Sequence, residues 1–276
     1  MLSSNHPLPK LTDASLTAAY PVTAMDEFGN SRESLIAAER ALTVYVDKKE
    51  IVTLMTLGTR PELLILGWLR NQNMVQSVHD IKAVQVDWET DSVAVTTWQG
   101  VKGLEEKLGR RTVTSGCGQG TIFGDMMEGL DKIKLPRVQL CQSDLYALLN
   151  TLSGHNEIYR QAGAVHGCAL CQEQNVEIFI EDVGRHNAVD TIAGHMWLKN
   201  IVGDKKIFYT TGRLTSEMVI KVAQMGIPVL LSRSGLTHMG LELAQQTGVI
   251  LIARAKGKHF MIYHGADQID FDAPPS

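Results

Sequence analysis

The stretch EDVGRHNAVD, residues 181–190, lies where an apolar run passes into a helical pattern. The run before it, VEIFI at residues 176–180, has the β-branched and aromatic content of a strand. From Asn187 onwards, apolar residues recur at helical spacing. The turn between strand and helix holds two carboxylates, a glycine, an arginine and a histidine, at the position where α/β proteins bind ligands. The sequence therefore predicts a ligand site here, with a salt-bridged helix cap as the structural alternative.

The alternation of strand, polar loop and helix continues downstream. Glycine and proline terminate the first of these helices, at Gly226 and Pro228, and Gly248 terminates the second. The predicted strands are residues 206–209, 229–231, 249–253 and 260–263, and the predicted helices are residues 216–225 and 239–247. This alternation predicts an α/β fold for the C-terminal part of the chain.

Cations and small polar residues cluster in the loops that follow these strands. Helix N-termini flanked by glycine and serine offer free N–H groups to anions, and guanidinium groups bind phosphate through two hydrogen bonds. The formal net charge of the chain is −4, so this positive charge is local. We expect the loops to bind a phosphate-bearing, nucleotide-like ligand. The candidate binding residues are Asp182, Gly184, Arg185, His186, Gly212, Arg213, Ser232, Arg233, Ser234, Arg254, Ala255, Lys256, Gly257, Lys258 and His259.

The N-terminal part has a different organisation, with strands clustered before any alternation. One hairpin is predicted at residues 42–46 and 51–57, a helix begins at Pro61, and a second hairpin covers residues 81–87 and 92–97. The first thirty or so residues lack a periodic pattern and are predicted to be a partly ordered arm. The sequence predicts three regions: a polar arm at 1–32, a small α+β domain at 33–125 and a larger α/β domain at 126–276.

A glycine-rich segment, GRRTVTSGCGQGT at residues 109–121, contains Cys117. A thiol that carries a group between two partners must reach each in turn, which favours an exposed loop of this composition. Arg110 and Arg111 would favour its reactive thiolate form. A surface cysteine without function is the structural alternative.

Composition sets the broad class of the protein. A chain of 276 residues with 44% hydrophobic content can bury a full core and is expected to hold two domains. No apolar run reaches the length of a membrane span, and the start lacks a secretory pattern. Four unevenly spaced cysteines do not indicate a disulfide framework. We therefore expect a cytoplasmic protein with neither a membrane nor a nucleic-acid partner.

Several motifs resemble the FdhD family, the accessory sulfurtransferases that mature molybdenum- or tungsten-dependent formate dehydrogenases. These are residues 181–190, Gly212-Arg213 with Ser216-Glu217-Met218, and GIPVLLSRS at residues 226–234. The resemblance extends over residues 33–263. It implies a cytidine-deaminase-like, three-layer α/β C-terminal domain, a smaller N-terminal α+β domain and a homodimer. It also implies a site for the molybdenum bis(guanine dinucleotide) cofactor as bound substrate, for which a guanine nucleotide would be a surrogate ligand.

In that family a loop cysteine carries persulfide sulfur from a cysteine desulfurase to this cofactor. Cys117 matches the first cysteine of the family's Cys-x-x-Cys motif, whereas Gly120 replaces the second. One thiol suffices for each transfer, because each step needs a single nucleophile. The resemblance therefore implies an accessory sulfurtransferase for formate dehydrogenase with Cys117 as the catalytic residue. The alternative is a non-catalytic protein that binds and delivers the cofactor.

A second Cys-x-x-Cys motif is formed by Cys168 and Cys171. His166 falls where the family has a histidine and is added to the candidate cofactor-binding residues. Three interpretations of the cysteine pair stay open: small apolar residues in a buried segment, a redox or sulfur-relay pair, or zinc ligands together with His166. The motif of zinc deaminases is absent, and no resident metal site is predicted.

Overall fold

The computed structural model describes residues 6–101, 103–104 and 129–274. Contacts between residues divide the chain into two compact units, each assembled from three segments. Unit 1 comprises residues 1–121, 156–166 and 181–198, and unit 2 comprises residues 122–155, 167–180 and 199–276. Two segments that follow residue 155 in the chain thus belong to unit 1. The domain boundaries at residues 32 and 125 stay a prediction.

The described helices are, in chain order, α1 (Pro61–Asn71), α2 (Gln142–Gly154), α3 (Glu157–Ala162), α4 (Arg185–Leu198), α5 (Ser216–Gln224) and α6 (His238–Thr247). Helix α1 begins at the predicted proline, which suits the first turn because that turn leaves its N–H groups unpaired. Helix α5 is followed by Gly226 and α6 by Gly248, each with positive φ, as predicted. None of the helices described here combines the length and apolar character needed to cross a membrane.

Unit 1 contains a mixed sheet in the order β1-β6-β7-β4-β5. Its strands are β1 (Lys10–Leu11), β4 (Arg40–Val46), β5 (Lys49–Thr56), β6 (Ile81–Asp87) and β7 (Ser92–Thr97). Strands β4 and β5 pair antiparallel, as do β6 and β7, which confirms both predicted hairpins. Alternating residues of these strands are buried, and this period of two is the pattern from which the hairpins were predicted.

The N-terminal segment is more ordered than expected. Strands β2 (Ala19–Met25) and β3 (Ser31–Ala37) form an antiparallel ribbon with mostly exposed side chains. The chain before it is held by distant partners: the Ala14 N–H donates to Glu62 over 2.7 Å, and the Leu16 N–H donates to the Gly58 carbonyl over 2.9 Å. Neither an exposed ribbon nor a long-range hydrogen bond leaves a local apolar pattern, which is why the sequence did not predict this order.

Helices α1 and α4 cross in close backbone contact within unit 1. A Cβ atom added at Gly67 would lie 1.6 Å from the carbonyl oxygen of Asp190, and one at Gly194 would lie 1.9 Å from that of Leu63. Apolar residues of α4 are fully buried, among them Ala188, Val189, Ile192, Ala193 and Met196. Two glycines thus let the helix axes approach more closely than any side chain would allow.

Unit 2 is built on a sheet in the order β10-β9-β11-β12-β13-β14. The strands are β9 (His166–Gln172), β10 (Asn175–Asp182), β11 (Ile207–Thr210), β12 (Val229–Ser232), β13 (Ile250–Lys256) and β14 (His259–His264), and a small separate pair consists of β8 (Leu140–Cys141) and β15 (Ile269–Asp270). Strands β11, β12 and β13 are parallel neighbours, with β9 and β14 antiparallel on either side. Leucines of α2 pack on alternate residues of the central strands. The fold is therefore mixed α/β, as predicted.

Candidate functional site at the ends of parallel strands

Strands β11 and β12 end in register within unit 2, with Thr210 opposite Ser232. Strand β13 lies parallel to β12 and passes the same edge, since Leu231 pairs with Ile252 and the strand continues to Lys256. Polar segments therefore leave three neighbouring strands at one edge of the sheet. Open α/β sheets bind ligands beyond the carboxyl ends of their strands, so this end of the sheet is the candidate site.

Backbone and hydroxyl groups join the ends of β11 and β12. The Thr210 hydroxyl accepts a hydrogen bond from the Gly212 N–H over 3.0 Å, and the Thr210 carbonyl accepts one from the Arg233 N–H over 3.2 Å. The Ser232 hydroxyl donates to the Gly212 carbonyl over 2.7 Å and accepts from the Ser234 N–H over 2.9 Å. The two exits thus form one hydrogen-bonded structure.

The same network reaches β13. The Arg254 N–H donates to the Ser234 carbonyl over 2.9 Å. Arg254 has φ of +55° and lies at the irregularity in the pairing of β13 with β14. We define the carboxyl-end rim as residues 210–213, 232–234 and 254.

Three guanidinium groups are carried by the carboxyl-end rim. Arg213, Arg233 and Arg254 are exposed, whereas Thr210 and Ser232 beneath them are completely buried. Each guanidinium can donate two parallel hydrogen bonds to a phosphate. The rim is therefore chemically suited to a ligand with several phosphate groups, and the structure brings together the predicted residues Gly212, Arg213, Ser232, Arg233, Ser234 and Arg254.

The basic segment at residues 254–259 is a hairpin rather than the loop that was predicted to follow the strand at residues 249–253. Lys256 belongs to β13 and pairs with His259, the first residue of β14, so the prediction of a loop was wrong. Alternation along β13 places Ala255 in the core at 1% exposure, while Lys256 is exposed. The Ala255 side chain is thus not available to a ligand. Lysine and arginine in edge hairpins obscure the strand pattern because their side chains face water.

Lys258 and His259 lie at a different feature of unit 2. They line an open depression of about 370 Å³ together with Tyr146 and Phe271. Arg254, by contrast, is hydrogen-bonded into the carboxyl-end rim. The hairpin therefore divides the predicted basic segment between two surfaces.

Asp182 is a buried carboxylate of unit 1, with 3% of its surface exposed. Its oxygens accept hydrogen bonds from the Thr56 hydroxyl over 2.6 Å, the Leu57 N–H over 3.2 Å, the Gly184 N–H over 3.2 Å and the Asn187 side-chain amide over 2.8 Å. Burial raises the pKa of Asp182, and these hydrogen bonds oppose that shift. The carboxylate thus holds the turn between β10 and α4 against the end of β5.

The Glu181 carboxylate also binds a backbone segment of unit 1. Its two carboxylate oxygens accept the N–H groups of Ile158 and Tyr159, each over 2.9 Å, at the first turn of α3. Both carboxylates in the turn therefore stabilise backbone segments of unit 1. The sequence did not predict these partners, because neither Thr56 nor Ile158 carries a local signal for a contact with a distant carboxylate.

Arg185 and His186 begin α4 and are buried, with 6% and 8% exposure. They belong to unit 1, as does the half-buried His166 at the start of β9. Gly184 precedes them in the turn, where its N–H binds Asp182. Contact between these four residues and a cofactor stays a prediction.

The cysteines of the second Cys-x-x-Cys motif are buried in β9. Cys168 and Cys171 are both at 0% exposure, and the Cys168 thiol donates to the Thr210 hydroxyl over 3.3 Å. Burial raises the pKa of Cys171 to about 12, so its thiol stays protonated near neutral pH. The buried-segment interpretation is confirmed. In the part of the chain that the structure describes, no group of three His, Cys, Asp or Glu side chains is arranged to hold a metal ion.

Cys117 and Gly120 lie outside the described residues. The role of Cys117 as a sulfur-carrying thiol therefore stays a prediction from the sequence.

Comparison with known proteins identifies the family. The profile of the FdhD/NarQ family matches residues 37–270. The chain belongs to the FdhD/NarQ family. This membership confirms the resemblance found in the motifs of residues 181–190 and 226–234.

Relatives within the FdhD/NarQ family include proteins named sulfur carrier protein FdhD. The protein from Wolinella succinogenes is 28% identical over 243 residues, covering 87% of this chain and 84% of the relative. The protein from Listeria innocua is 28% identical over 240 residues, covering 86% and 92%. A crystal structure of a protein from Desulfotalea psychrophila, assigned as a formate dehydrogenase accessory protein, matches with a TM-score of 0.71 at 23% identity and covers 93% of this chain and 99% of that one. That similarity supports the mixed α/β fold.

Proposed function

We propose that this protein is a sulfur carrier that serves the maturation of formate dehydrogenase. The observation that carries the proposal is the group of three exposed guanidiniums on one hydrogen-bonded rim. It occurs in a member of a family whose relatives are named as sulfur carriers. The substrate proposed for this rim is the molybdenum bis(guanine dinucleotide) cofactor.

The phosphates of the cofactor carry the negative charge that would pair with the arginines of the carboxyl-end rim. Bidentate hydrogen bonds to phosphate oxygens would be donated by each of Arg213, Arg233 and Arg254. Helix α5 begins at Ser216, shortly after the exit of β11, so the positive end of its dipole reinforces the site. Guanosine diphosphate also carries phosphate groups on a guanine nucleoside, which makes it a suitable probe.

Sulfur transfer is assigned to Cys117. In the first step its thiolate attacks the terminal sulfur of a persulfide on a cysteine desulfurase; the desulfurase cysteine leaves as a thiolate, and Cys117 holds the persulfide. In the second step the terminal sulfur moves to the molybdenum, Cys117 leaves as a thiolate, and the metal supplies the electron pair that makes the transferred atom a sulfide ligand. One cysteine suffices for both steps.

The finer architecture and the assembly are also part of the proposal. A sheet with α2 on one face and an order that mixes parallel and antiparallel strands is compatible with a cytidine-deaminase-like, three-layer domain. We further propose a cytoplasmic homodimer whose partners are a cysteine desulfurase and formate dehydrogenase.

Persulfide mapping tests the sulfur-carrier role. The purified protein is incubated with a cysteine desulfurase and cysteine, and peptide mass spectrometry then locates added sulfur. We expect it on Cys117 and expect the Cys117→Ala variant to gain none. Cys168 and Cys171 provide internal controls because both are buried. Sulfur on those residues alone would show that one of them, and not Cys117, is the sulfur-carrying cysteine. No added sulfur anywhere would favour the non-catalytic cofactor carrier.

The phosphate site is tested by Arg233→Ala. Loss of one guanidinium–phosphate contact, worth about 1.5–3 kcal/mol, should weaken guanosine diphosphate binding by about tenfold or more. Isothermal titration calorimetry measures the affinity. Lys205→Ala is the matched control, because this exposed lysine precedes β11 at the opposite end of the strand. An Arg233→Ala affinity equal to that of the wild type would remove Arg233 from the site.

A further inference from the structure

Two buried hydroxyls lie beneath the arginines of the carboxyl-end rim. We propose that Thr210 and Ser232 are positioning residues, which aim the three guanidiniums at a ligand with several phosphates without touching that ligand themselves. Both side chains are at 0% exposure, so direct contact with a bound molecule is ruled out for this conformation. This inference rests on the proposed phosphate-binding function of the rim.

Thr210 controls the backbone on both sides of the gap between β11 and β12. Its hydroxyl holds the Gly212 N–H, directly before Arg213, and its carbonyl holds the N–H of Arg233 itself. One residue therefore fixes the starting directions of two arginine side chains.

Ser232 completes the connection. Its hydroxyl donates to the Gly212 carbonyl and accepts from the Ser234 N–H, and the Ser234 carbonyl in turn accepts the Arg254 N–H. A serine or threonine is required for this pattern because a hydroxyl is both donor and acceptor in a small volume. The third arginine is thereby linked to the first two.

The second Cys-x-x-Cys motif acquires a role in this arrangement. The Cys168 thiol donates to the Thr210 hydroxyl over 3.3 Å, from the neighbouring strand β9. Since the hydroxyl also accepts the Gly212 N–H, two donors converge on this oxygen. Cys168 therefore supports the positioning residue rather than carrying sulfur.

Orientation matters because a bidentate contact needs two phosphate oxygens to lie close to the plane of the guanidinium. A hydroxyl lost below the rim leaves each arginine and its charge in place but releases the backbone from which it projects. Affinity for a phosphate-bearing ligand should then fall with the net charge unchanged. A purely structural role would lower stability and leave affinity as it was.

The test compares Thr210→Val and Ser232→Ala with Thr210→Ser, using guanosine diphosphate as the probe in calorimetry and thermal unfolding as the measure of stability. We expect about a tenfold loss of affinity in each of the first two variants, and near wild-type affinity in Thr210→Ser. Thr247→Val is the matched control, because Thr247 is 2% exposed in unit 2 and its hydroxyl bonds only within α6, to the Leu243 carbonyl, in the described hydrogen bonds. It should lose stability but keep its affinity.

A double-mutant cycle sharpens the result. In the Arg213→Ala background, Thr210→Val should cost less affinity than it does in the wild type, because the Thr210 hydroxyl holds the Gly212 N–H directly before Arg213, and that arginine side chain is gone. Wild-type affinity in a folded Thr210→Val or Ser232→Ala variant would overturn this inference and leave the phosphate site intact. A wild-type protein that fails to bind guanosine diphosphate would instead overturn the phosphate site, and the inference with it.

Discussion

Replacing Gly67 with alanine is expected to lower the free energy of unfolding by about 3 kcal/mol or more. The added Cβ would lie 1.6 Å from the Asp190 carbonyl oxygen, and the backbone N of Gly194 would be 2.6 Å away. Both neighbours are main-chain atoms, so no rotamer change relieves the overlap. Helices α1 and α4 would have to separate, and the buried residues between them would lose their packing.

Urea unfolding followed by circular dichroism measures the effect of Gly67→Ala. Gly154→Ala is the control: this residue ends α2, and a Cβ added there would meet no heavy atom within 4 Å. Its stability should stay the same or rise slightly, because alanine favours a helix over glycine by up to about 1 kcal/mol. Equal stability of the Gly67 and Gly154 variants would show that the two helices do not meet through Gly67.

Replacing Asp182 with alanine is expected to destabilise the protein by about 3 kcal/mol. The variant would leave the N–H groups of Leu57 and Gly184 and the Asn187 amide without their acceptor, in a region that water reaches poorly. Each buried donor left unsatisfied costs about 1–3 kcal/mol. The turn from β10 to α4 would detach from the end of β5, and the residues that follow it, Arg185 among them, would lose their support.

The pH dependence gives Asp182 a second signature. Because burial raises the pKa of Asp182 above its ordinary value of 3.8, the folded state holds this proton more tightly than the unfolded state. The part of the stability that comes from this pKa shift is therefore full below pH 3.8 and is lost as the pH rises through the raised pKa. The hydrogen bonds that the carboxylate accepts remain above that pH.

The variant Asp182→Asn cannot titrate, so it should lack that part of the pH dependence. Its difference in unfolding free energy from the wild type should be largest at low pH and shrink as the pH rises through the raised pKa. Urea unfolding at a series of pH values measures this difference. Asp267→Asn is the control, because Asp267 is exposed and its pKa is lowered by the Arg137 hydrogen bond, which gives the opposite sign. Identical pH profiles for the wild type and Asp182→Asn would contradict the assignment.

Local periodicity was enough to predict the regular elements around the site. Alternation of apolar residues identified the hairpins of β4 with β5 and β6 with β7, and capping signals identified the ends of α5 and α6. The β2–β3 ribbon and the hairpin at residues 254–259 were missed, because exposed strands need no apolar alternation. In both cases pairing with a neighbouring strand, rather than burial of one face, decides the conformation.

By itself the sequence determined the family, the mixed α/β class and the concentration of cations at three strand exits. Tertiary structure decided what each polar group does. Asp182 accepts a hydrogen bond from Thr56, which lies 126 residues away in the chain. The Ser232 hydroxyl donates to the Gly212 carbonyl inside the carboxyl-end rim, while Arg213 and Arg233 stay exposed. The physical reason is that a buried polar group must find its hydrogen-bond partners wherever the fold places them. Those partners follow no period in the sequence, so only folding reveals which charges remain free to bind a ligand.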